Sequence, residues 1–365
     1  MASQGVSKYN KLVDWVKRQI DSGDLLPGDK LYSENELTRM FGISRQTVRQ
    51  AIGVLENEGL VQRRRGSGTY INASPIPAHA PTKTIGVITT YLDDYIFPSI
   101  IRGIEGVLSQ NGYTMRLSIT NNKVENETTA LVNMLQDNVD GLIVEPTKSA
   151  LPNLNRSLYE TLANRSIPCL MINGKYAGSD AACVAPDDFA SGREATRYLL
   201  LRGHKRIGGI FKSDDIQGHL RYAGFAHALK EYGVGLDDDR VLWYGTEDIG
   251  RLFGGDSDAY LCSRIAGCTA LLCYNDQIAV MLMEILRRAG VGIPEQISLI
   301  GFDNSNLATM PDVGITSLAH PKEQLGELAA KGLLSLLRDR TAAVDTLFEP
   351  IIVERQSVRT ITELD

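Results

Sequence analysis

From residue 84 onward the chain repeats a pattern that few folds can satisfy: short apolar runs that do not alternate, each followed by a stretch with helical spacing. The runs include Ile85–Ile88, Thr114–Leu117, Gly141–Val144, Cys169–Ile172, Ile207–Phe211, Ala270–Cys273 and Ser298–Gly301. A strand with one wet face alternates apolar and polar side chains, whereas one covered on both faces is apolar throughout. Runs of the second kind, joined by helices, make parallel βαβ units. Their extent, residues 84–360, predicts two doubly wound lobes rather than one sheet.

A different organisation precedes them. Residues 73–83 carry three prolines among small residues and read as an exposed, semi-extended linker, since proline cannot continue a helix or a central strand. Before the linker, Tyr9, Leu12, Val13, Val16 and Ile20 recur at helical spacing up to Gly23. After the turn Leu26–Asp29, Ser33 and Glu36 form a capping box that opens a short helix closed by Gly42. Ser44 caps a third helix, with Val48, Ala51, Ile52 and Leu55 facing inward until Gly59, and Leu60–Ile71 reads as a β-hairpin around a glycine-containing turn. The predicted fold class is therefore an α+β winged helix-turn-helix domain over 1–72, followed by an α/β two-lobed domain over 84–360.

The net charge of −6 argues against a nucleic-acid partner until it is divided. Residues 1–72 hold eleven Lys/Arg and eight Asp/Glu, giving +3; the remainder holds 27 and 36, giving −9. A small basic reader on an acidic sensor has this asymmetry. The five cysteines form no CxxC pair and read as reduced thiols in apolar surroundings. The first residues hold no apolar core of a signal peptide, and no apolar stretch is long enough to span a bilayer. The expected location is the cytoplasm, without a membrane partner, so the N-x-S/T triplets at Asn126, Asn155 and Asn164 are expected to carry no glycan.

In a helix-turn-helix the second helix presents its first turns to base edges in the major groove. Arg45, Gln46 and Arg49 share the exposed side of those turns here. Arginine offers a bidentate donor to guanine and glutamine matches adenine, while Ser44 and Thr47 suit phosphate oxygens. Arg63, Arg64 and Arg65, followed by Gly66 and Gly68, put cations on a thin hairpin tip. The strings Leu26–Leu31, Ser33–Leu37, Phe41–Arg49, Glu58–Leu60 and Arg65–Tyr70 resemble the GntR family of winged-helix regulators. By position, that resemblance implies DNA contacts from Glu34, Arg45, Gln46, Thr47, Arg49 and the wing around Arg65–Gly68. The family's usual proline before the serine of the second helix is Tyr32 here.

In open parallel sheets, ligands bind beyond the carboxyl ends of the strands. The residues just past the runs are Glu145, Asn173, Lys212, Asn275 and Asp303, with Arg221 opening a helix further on. Such a polar set suits vicinal hydroxyls, and an aromatic ring covers a sugar's C–H face; Tyr95 and Phe97 are candidates for that ring. Asn275 reads equally well as a helix cap. The strings Arg221–Phe225, Cys273–Ala279, Pro294–Asp303 and Thr316–Ser317 resemble the effector domain of the LacI/GalR regulators, a type I periplasmic-binding-protein-like fold. The resemblance implies sugar contacts at Arg221, Asn275 and Asp303, and at Asn173 and Glu145. That family's own DNA-binding head is absent.

A GntR-type head on a LacI-type body resembles the arabinose-repressor family of Gram-positive bacteria, through Ile88–Glu105, Asp140–Ala150 and His320–Glu323. This implies a repressor that binds palindromic operator DNA as a homodimer and is released by L-arabinose or a related small sugar. Ribose, xylose, a purine or a sugar phosphate remain open as effectors. No cofactor or metal is expected, since the five histidines lack metal-ligand spacing and read as surface or capping residues, with His320 the exception held open. An enzyme fused to a DNA-binding head is the rival class. It lacks support because the phosphate-binding, dinucleotide-binding and nucleophile-elbow motifs are all missing.

Overall fold

The computed structural model describes residues 8–21, 24–26, 28–57, 59–64, 67–72, 81–92, 96–310 and 312–362. These form two compact units, one reaching Thr82 and including Tyr159–Ile167, the other holding Lys83–Leu158 and Pro168 onward.

In the first unit, helices α1 (Lys8–Asp21), α2 (Glu34–Phe41) and α3 (Arg45–Asn57) are followed by the antiparallel pair β1 (Val61–Arg64) and β2 (Gly68–Ile71). The predicted capping box is present: Ser33 Oγ accepts from the Glu36 N–H, and Glu36 accepts from the Ser33 N–H, while Gly42 ends α2 with φ 60°. The Thr47 N–H donates to Ser44 Oγ at 3.2 Å, which starts α3. Leu12, Val16, Leu37, Val48, Ile52, Leu55 and Val61 make the core between the helices and the hairpin.

The second unit continues with β3 (Thr84–Thr89), α4 (Phe97–Gln110), β4 (Thr114–Ile119), α5 (Val124–Gln136), β5 (Gly141–Val144), α6 (Arg156–Asn164, whose last residues belong to the first unit), β6 (Cys169–Ile172) and β7 (Ala182–Pro186). Next come α7 (Asp188–Leu201), β8 (Ile207–Lys212), α8 (Ile216–Glu231), β9 (Val241–Tyr244), α9 (Ile249–Leu252), α10 (Asp258–Ile265), β10 (Ala270–Cys273), α11 (Asp276–Arg288), β11 (Ser298–Asp303), β12 (Thr316–Ala319), α12 (Lys322–Arg338), β13 (Thr346–Phe348) and β14 (Ile352–Val353). One lobe is an all-parallel sheet in the order β13-β7-β6-β5-β3-β4. The other is β14-β12-β11-β10-β8-β9, parallel except for β14. The chain passes between lobes three times, after β7, after β12 and between β13 and β14.

Strands β5, β8, β10 and β11 are buried at every residue, as non-alternating runs require. Thr114–Leu117 is a correction. It lies in β4 at the sheet edge, where Met115 and Leu117 are half-buried and Thr114 and Arg116 are exposed, so this run alternates because one face is open.

Two helix pairs cross with backbones nearly touching. A Cβ at Gly103 of α4 would fall 2.2 Å from the Glu323 carbonyl oxygen, and one at Gly326 of α12 would fall 2.1 Å from that of Ile100. In the other lobe, a Cβ at Gly192 of α7 would meet the Arg221 carbonyl at 2.1 Å, and one at Gly224 of α8 that of Phe189 at 2.1 Å. No side chain fits these crossings without moving a helix. Gly326→Val is expected to destabilise the fold by at least about 1–3 kcal/mol through overpacking. A urea midpoint unchanged from the parent would show that α4 and α12 do not pack in this way.

Candidate functional site

The first unit presents the predicted reader as an exposed surface. Arg45, Gln46 and Arg49 are exposed on the first turns of α3, with Val48 and Ile52 turned to the core. Two of these arginines are already oriented by α2. Arg49 Nε donates to Glu34 at 2.9 and 3.1 Å, and Arg45 donates to Asn35 Oδ1. Ser44 Oγ and Thr47 Oγ1 are 2.9 Å apart at the helix start. On the hairpin, the Arg64 guanidinium lies 4.7 Å from the centre of the Tyr70 ring, and Lys30 lies 5.9 Å from it. Gly68 has φ 121°, and a Cβ there would fall 2.7 Å from Lys30 Cε. Arg65 and Gly66 lie outside the described residues.

In the second unit, the carboxyl ends of both sheets meet around a cleft of about 490 Å³, within the range of small-ligand sites. Glu145, Arg221, Asn275 and Asp303 all line it, brought from the end of β5, from within α8, which begins at Ile216 and is not opened by Arg221 as expected, from the start of α11 and from the end of β11. Asn173 does not. Its backbone is left-handed, with φ 62°, and its side chain stands behind Glu145, donating to Glu145 Oε1 at 2.8 Å. Tyr95 lies outside the described residues. Phe97 is 4% exposed, packed in the lobe core with one edge on the cleft.

On the first lobe's wall, Glu145 Oε2 accepts from the Thr90 N–H at 2.8 Å and from the Thr89 and Thr90 hydroxyls. Burial pushes its carboxyl above the usual range, against the pull of these donors. On the other wall, Arg221 is 3% exposed. Its Nε donates to Asp188 Oδ1 at 2.8 Å, its Nη1 to the Tyr274 carbonyl, and its Nη2 stands 3.9 Å from Asp303 Oδ1. Its plane also lies over the Phe302 ring, 4.5 Å from the centroid. Burial pushes the Asp188 carboxyl up to about 6 despite Arg221, which leaves it ionised at neutral pH. Asp303 has φ 96° and Asn304 φ 44°, a strained strand end of the kind that collects at functional sites.

Asn275 combines the two readings given to it: its Oδ1 caps α11 through the Ile278 N–H at 3.0 Å, and its residue still faces the cleft. Asp276 behind it accepts from Ser305 and Ser317, and burial pushes it up to about 7. Sequence reasoning missed Tyr91, Tyr274, Asp215 and Gln217, all on the cleft. Tyr274 was hidden as the tail of an apolar run. Asp215 carried the better signal, as a residue before a helical stretch, where carboxylates cap.

Across the cleft the lobes touch away from the crossover segments. Asn122 Nδ2 donates to Thr246 Oγ1 at 2.6 Å, Lys148 Nζ to Glu247 Oε1 at 2.6 Å, and Ser149 Oγ to Asp215 Oδ1 at 2.9 Å.

Of the histidines, His219 and His227 are exposed as expected, His79 lies outside the described residues, and His204 needs correction. His204 is neither surface nor cap. It is 0% exposed and bridges Thr269 Oγ1 and the Arg359 carbonyl. His320, in the crossover after β12, is buried, with Nε2 3.0 Å from Asn173 Oδ1 and Nδ1 unpartnered among the described residues. Burial lowers its pKa to about 4, outweighing the pull of Asp303, so the folded state holds it neutral. The unfolded chain takes up a proton below about 6.5 that the folded chain refuses until about 4, so acidification through this window removes stability. His320→Gln is therefore expected to lose about 2–3 kcal/mol less than the parent between pH 7 and pH 4.5. Urea unfolding at the two pH values measures this. Equal losses would mean that His320 is charged or exposed in the native state.

Three comparisons bear on this geometry. Residues 8–71 match the family described as bacterial regulatory proteins, gntR family, and residues 196–358 match a periplasmic binding protein-like domain. The chain is 37% identical over 370 residues to the arabinose metabolism transcriptional repressor of Geobacillus stearothermophilus, spanning 99% of this chain and 100% of that one. It is 40% identical over 362 residues to the protein of the same name from Halalkalibacterium halodurans, spanning 96% of each. A solved LacI family transcriptional regulator from Enterococcus faecium with bound ribose superposes with a TM-score of 0.65 at 25% identity, covering 76% of this chain and 100% of that one.

Proposed function

This chain belongs to the family of arabinose metabolism transcriptional repressors, and from that premise we propose that L-arabinose binds its cleft and releases a homodimer from a palindromic operator. That it is a sugar-responsive repressor, with a GntR-type head and a LacI-type body, follows from the family itself.

The observation that carries the effector reading is the charge of the cleft. Lys212 and Arg221 are its cations; Glu145, Asp215 and Asp303 line it, with Asp188 behind Arg221. Two cations stand against four acidic side chains, so no positive charge is left over for a phosphate or a sugar acid. What remains is a dense set of donors and acceptors beside Tyr91 and Tyr274, which suits a neutral polyol. Glu145, Asn275, Arg221 and Asp303 are the hydroxyl contacts in this reading, with Asn173 holding Glu145.

The domain division that goes with it is a reader over 1–72, a linker over 73–83 and an effector body over 84–360, acting in the cytoplasm. On the operator, Arg45, Gln46 and Arg49 read bases, while Glu34, Ser44, Thr47, Arg64, Arg65, Gly66 and Gly68 hold the backbone and fix the arginines. A dimer matches two heads to two half-sites. Sugar enclosed between the lobes favours the arrangement in which Ser149 reaches Asp215, and coupling of this kind is about 1–3 kcal/mol and reciprocal.

Titration calorimetry of the full chain is expected to give heat with L-arabinose and far less with D-xylose or D-ribose, and the same sugar is expected to release bound operator. Binding of a different pentose, or of none, would overturn the arabinose assignment. On the reader, Arg49→Met is expected to lower discrimination between operator and unrelated DNA by about 10–100-fold. Arg64→Ala is expected to weaken both DNAs alike and to flatten the dependence of log affinity on log salt by about one unit. Fluorescence anisotropy over a salt series separates the two, and full operator preference in Arg49→Met would remove α3 as the base reader.

A further inference from the structure

One cation on the cleft pairs with two carboxylates only at long range. Lys212 ends β8, is 6% exposed and lines the cleft. Its Nζ stands 3.6 Å from Asp215 Oδ2 and 3.8 Å from Asp214 Oδ1, and it makes no hydrogen bond among the described residues. A lysine placed to bind a carboxylate sits about 2.7–2.9 Å from it.

Asp215 is engaged elsewhere, while Asp214 is engaged through Oδ2 only and its Oδ1 accepts no hydrogen bond among the described residues. Asp215 accepts from Ser149 Oγ at 2.9 Å and Tyr274 Oη at 2.7 Å, and Asp214 Oδ2 accepts from the Thr246 N–H at 3.0 Å. The ammonium instead lies near two rings, 6.0 Å from the centre of Tyr91 and 5.9 Å from that of Tyr274, which attract its charge but accept none of its hydrogen bonds in this geometry. The place where its side chain begins is fixed by Gly218 of α8, at which a Cβ would fall 2.0 Å from the Lys212 carbonyl.

At 3.6 and 3.8 Å neither carboxylate takes a hydrogen bond from the ammonium, and a ligand oxygen on the open side of the cleft supplies a closer acceptor. Two aspartates beside one lysine make this corner a poor host for an anion, so the oxygen it suits belongs to a neutral molecule. We propose that Lys212 is a specificity-determining contact for the effector, donating to one hydroxyl or ring oxygen of the bound sugar between Tyr91 and Tyr274. This rests on the neutral-sugar reading above and adds the residue that reads one sugar position.

The test is a cycle between residue and ligand on the full chain: calorimetry with L-arabinose and its mono-deoxy analogues, for the parent and Lys212→Met. The parent is expected to lose about 10–100-fold in affinity for the analogue lacking the oxygen that Lys212 contacts. Lys212→Met is expected to bind L-arabinose more weakly by a similar factor, and to bind that one analogue no more weakly than it binds L-arabinose. If the ring oxygen is the contact, the carbocyclic analogue shows this pattern instead. The same cycle on Lys212→Gln, with thermal unfolding of both variants, guards against a chain that does not fold. Penalties for every analogue that are unchanged by the substitution would overturn the contact, whether or not overall affinity falls, since a uniform fall marks a lysine that only positions Asp214 and Asp215. A parent that binds no pentose would overturn the sugar reading and this contact with it, whereas a parent that binds L-arabinose beside an unchanged variant overturns the contact alone.

Discussion

The guanidinium of Arg221 is the tie on which the second lobe's ligand wall depends. It joins α8 to Asp188, the first residue of α7 after the chain crosses between lobes, and to the ends of β10 and β11 through the Tyr274 carbonyl and Asp303. A buried cation of this kind is tolerable only where its donors are met, and removing one partner of such a pair is far more damaging than never having built it. The glycine crossing of α7 and α8 is what makes the tie possible. Gly192 and Gly224 let the two backbones approach until the Arg221 and Asp188 side chains can meet. A packing requirement in the helix layer is thereby a requirement of the site.

The same economy appears in the first lobe. Glu145 is held by two threonines on one side and by Asn173 on the other, and Asn173 in turn meets His320 in a crossover segment. The network runs from the cleft to a segment that joins the lobes. Asp215 supplies the corresponding link at the cleft mouth, accepting from Tyr274 in its own lobe and from Ser149 in the other. A site wired to both the crossover segment and the opposite lobe joins the two lobes through its own hydrogen bonds.

The strands buried on both faces were legible because burial leaves little freedom in their composition: β5 and β10 are apolar throughout, and in β8 and β11 polar residues stand only at the strand ends. Thr114–Leu117 misled because an edge strand with one apolar face resembles a buried strand when only four residues are read. The strand-end rule found Glu145, Asn275 and Asp303 because parallel sheets deliver every carboxyl end to one rim. It could not tell that Asn173 turns behind Glu145, since a left-handed residue redirects its side chain without leaving a mark on the apolar pattern. His204 went unread for a related reason. A lone histidine carries no spacing, and its partners Thr269 and Arg359 are distant in sequence.

The reader shows what a sequence encodes more fully than a fold. Glu34 opens α2 and receives Arg49 of α3, and Asn35 beside it receives Arg45. Two neighbouring residues at one helix start thus hold the two arginines of the next helix in extended, exposed positions before any DNA is present. An arginine loses less freedom on binding when its fork is already oriented. The acidic residue in a basic surface is therefore no conflict of charge. Glu34 lowers the attraction to every phosphate alike while holding the Arg49 fork in one direction, and phosphate attraction carries no sequence information whereas an oriented fork can.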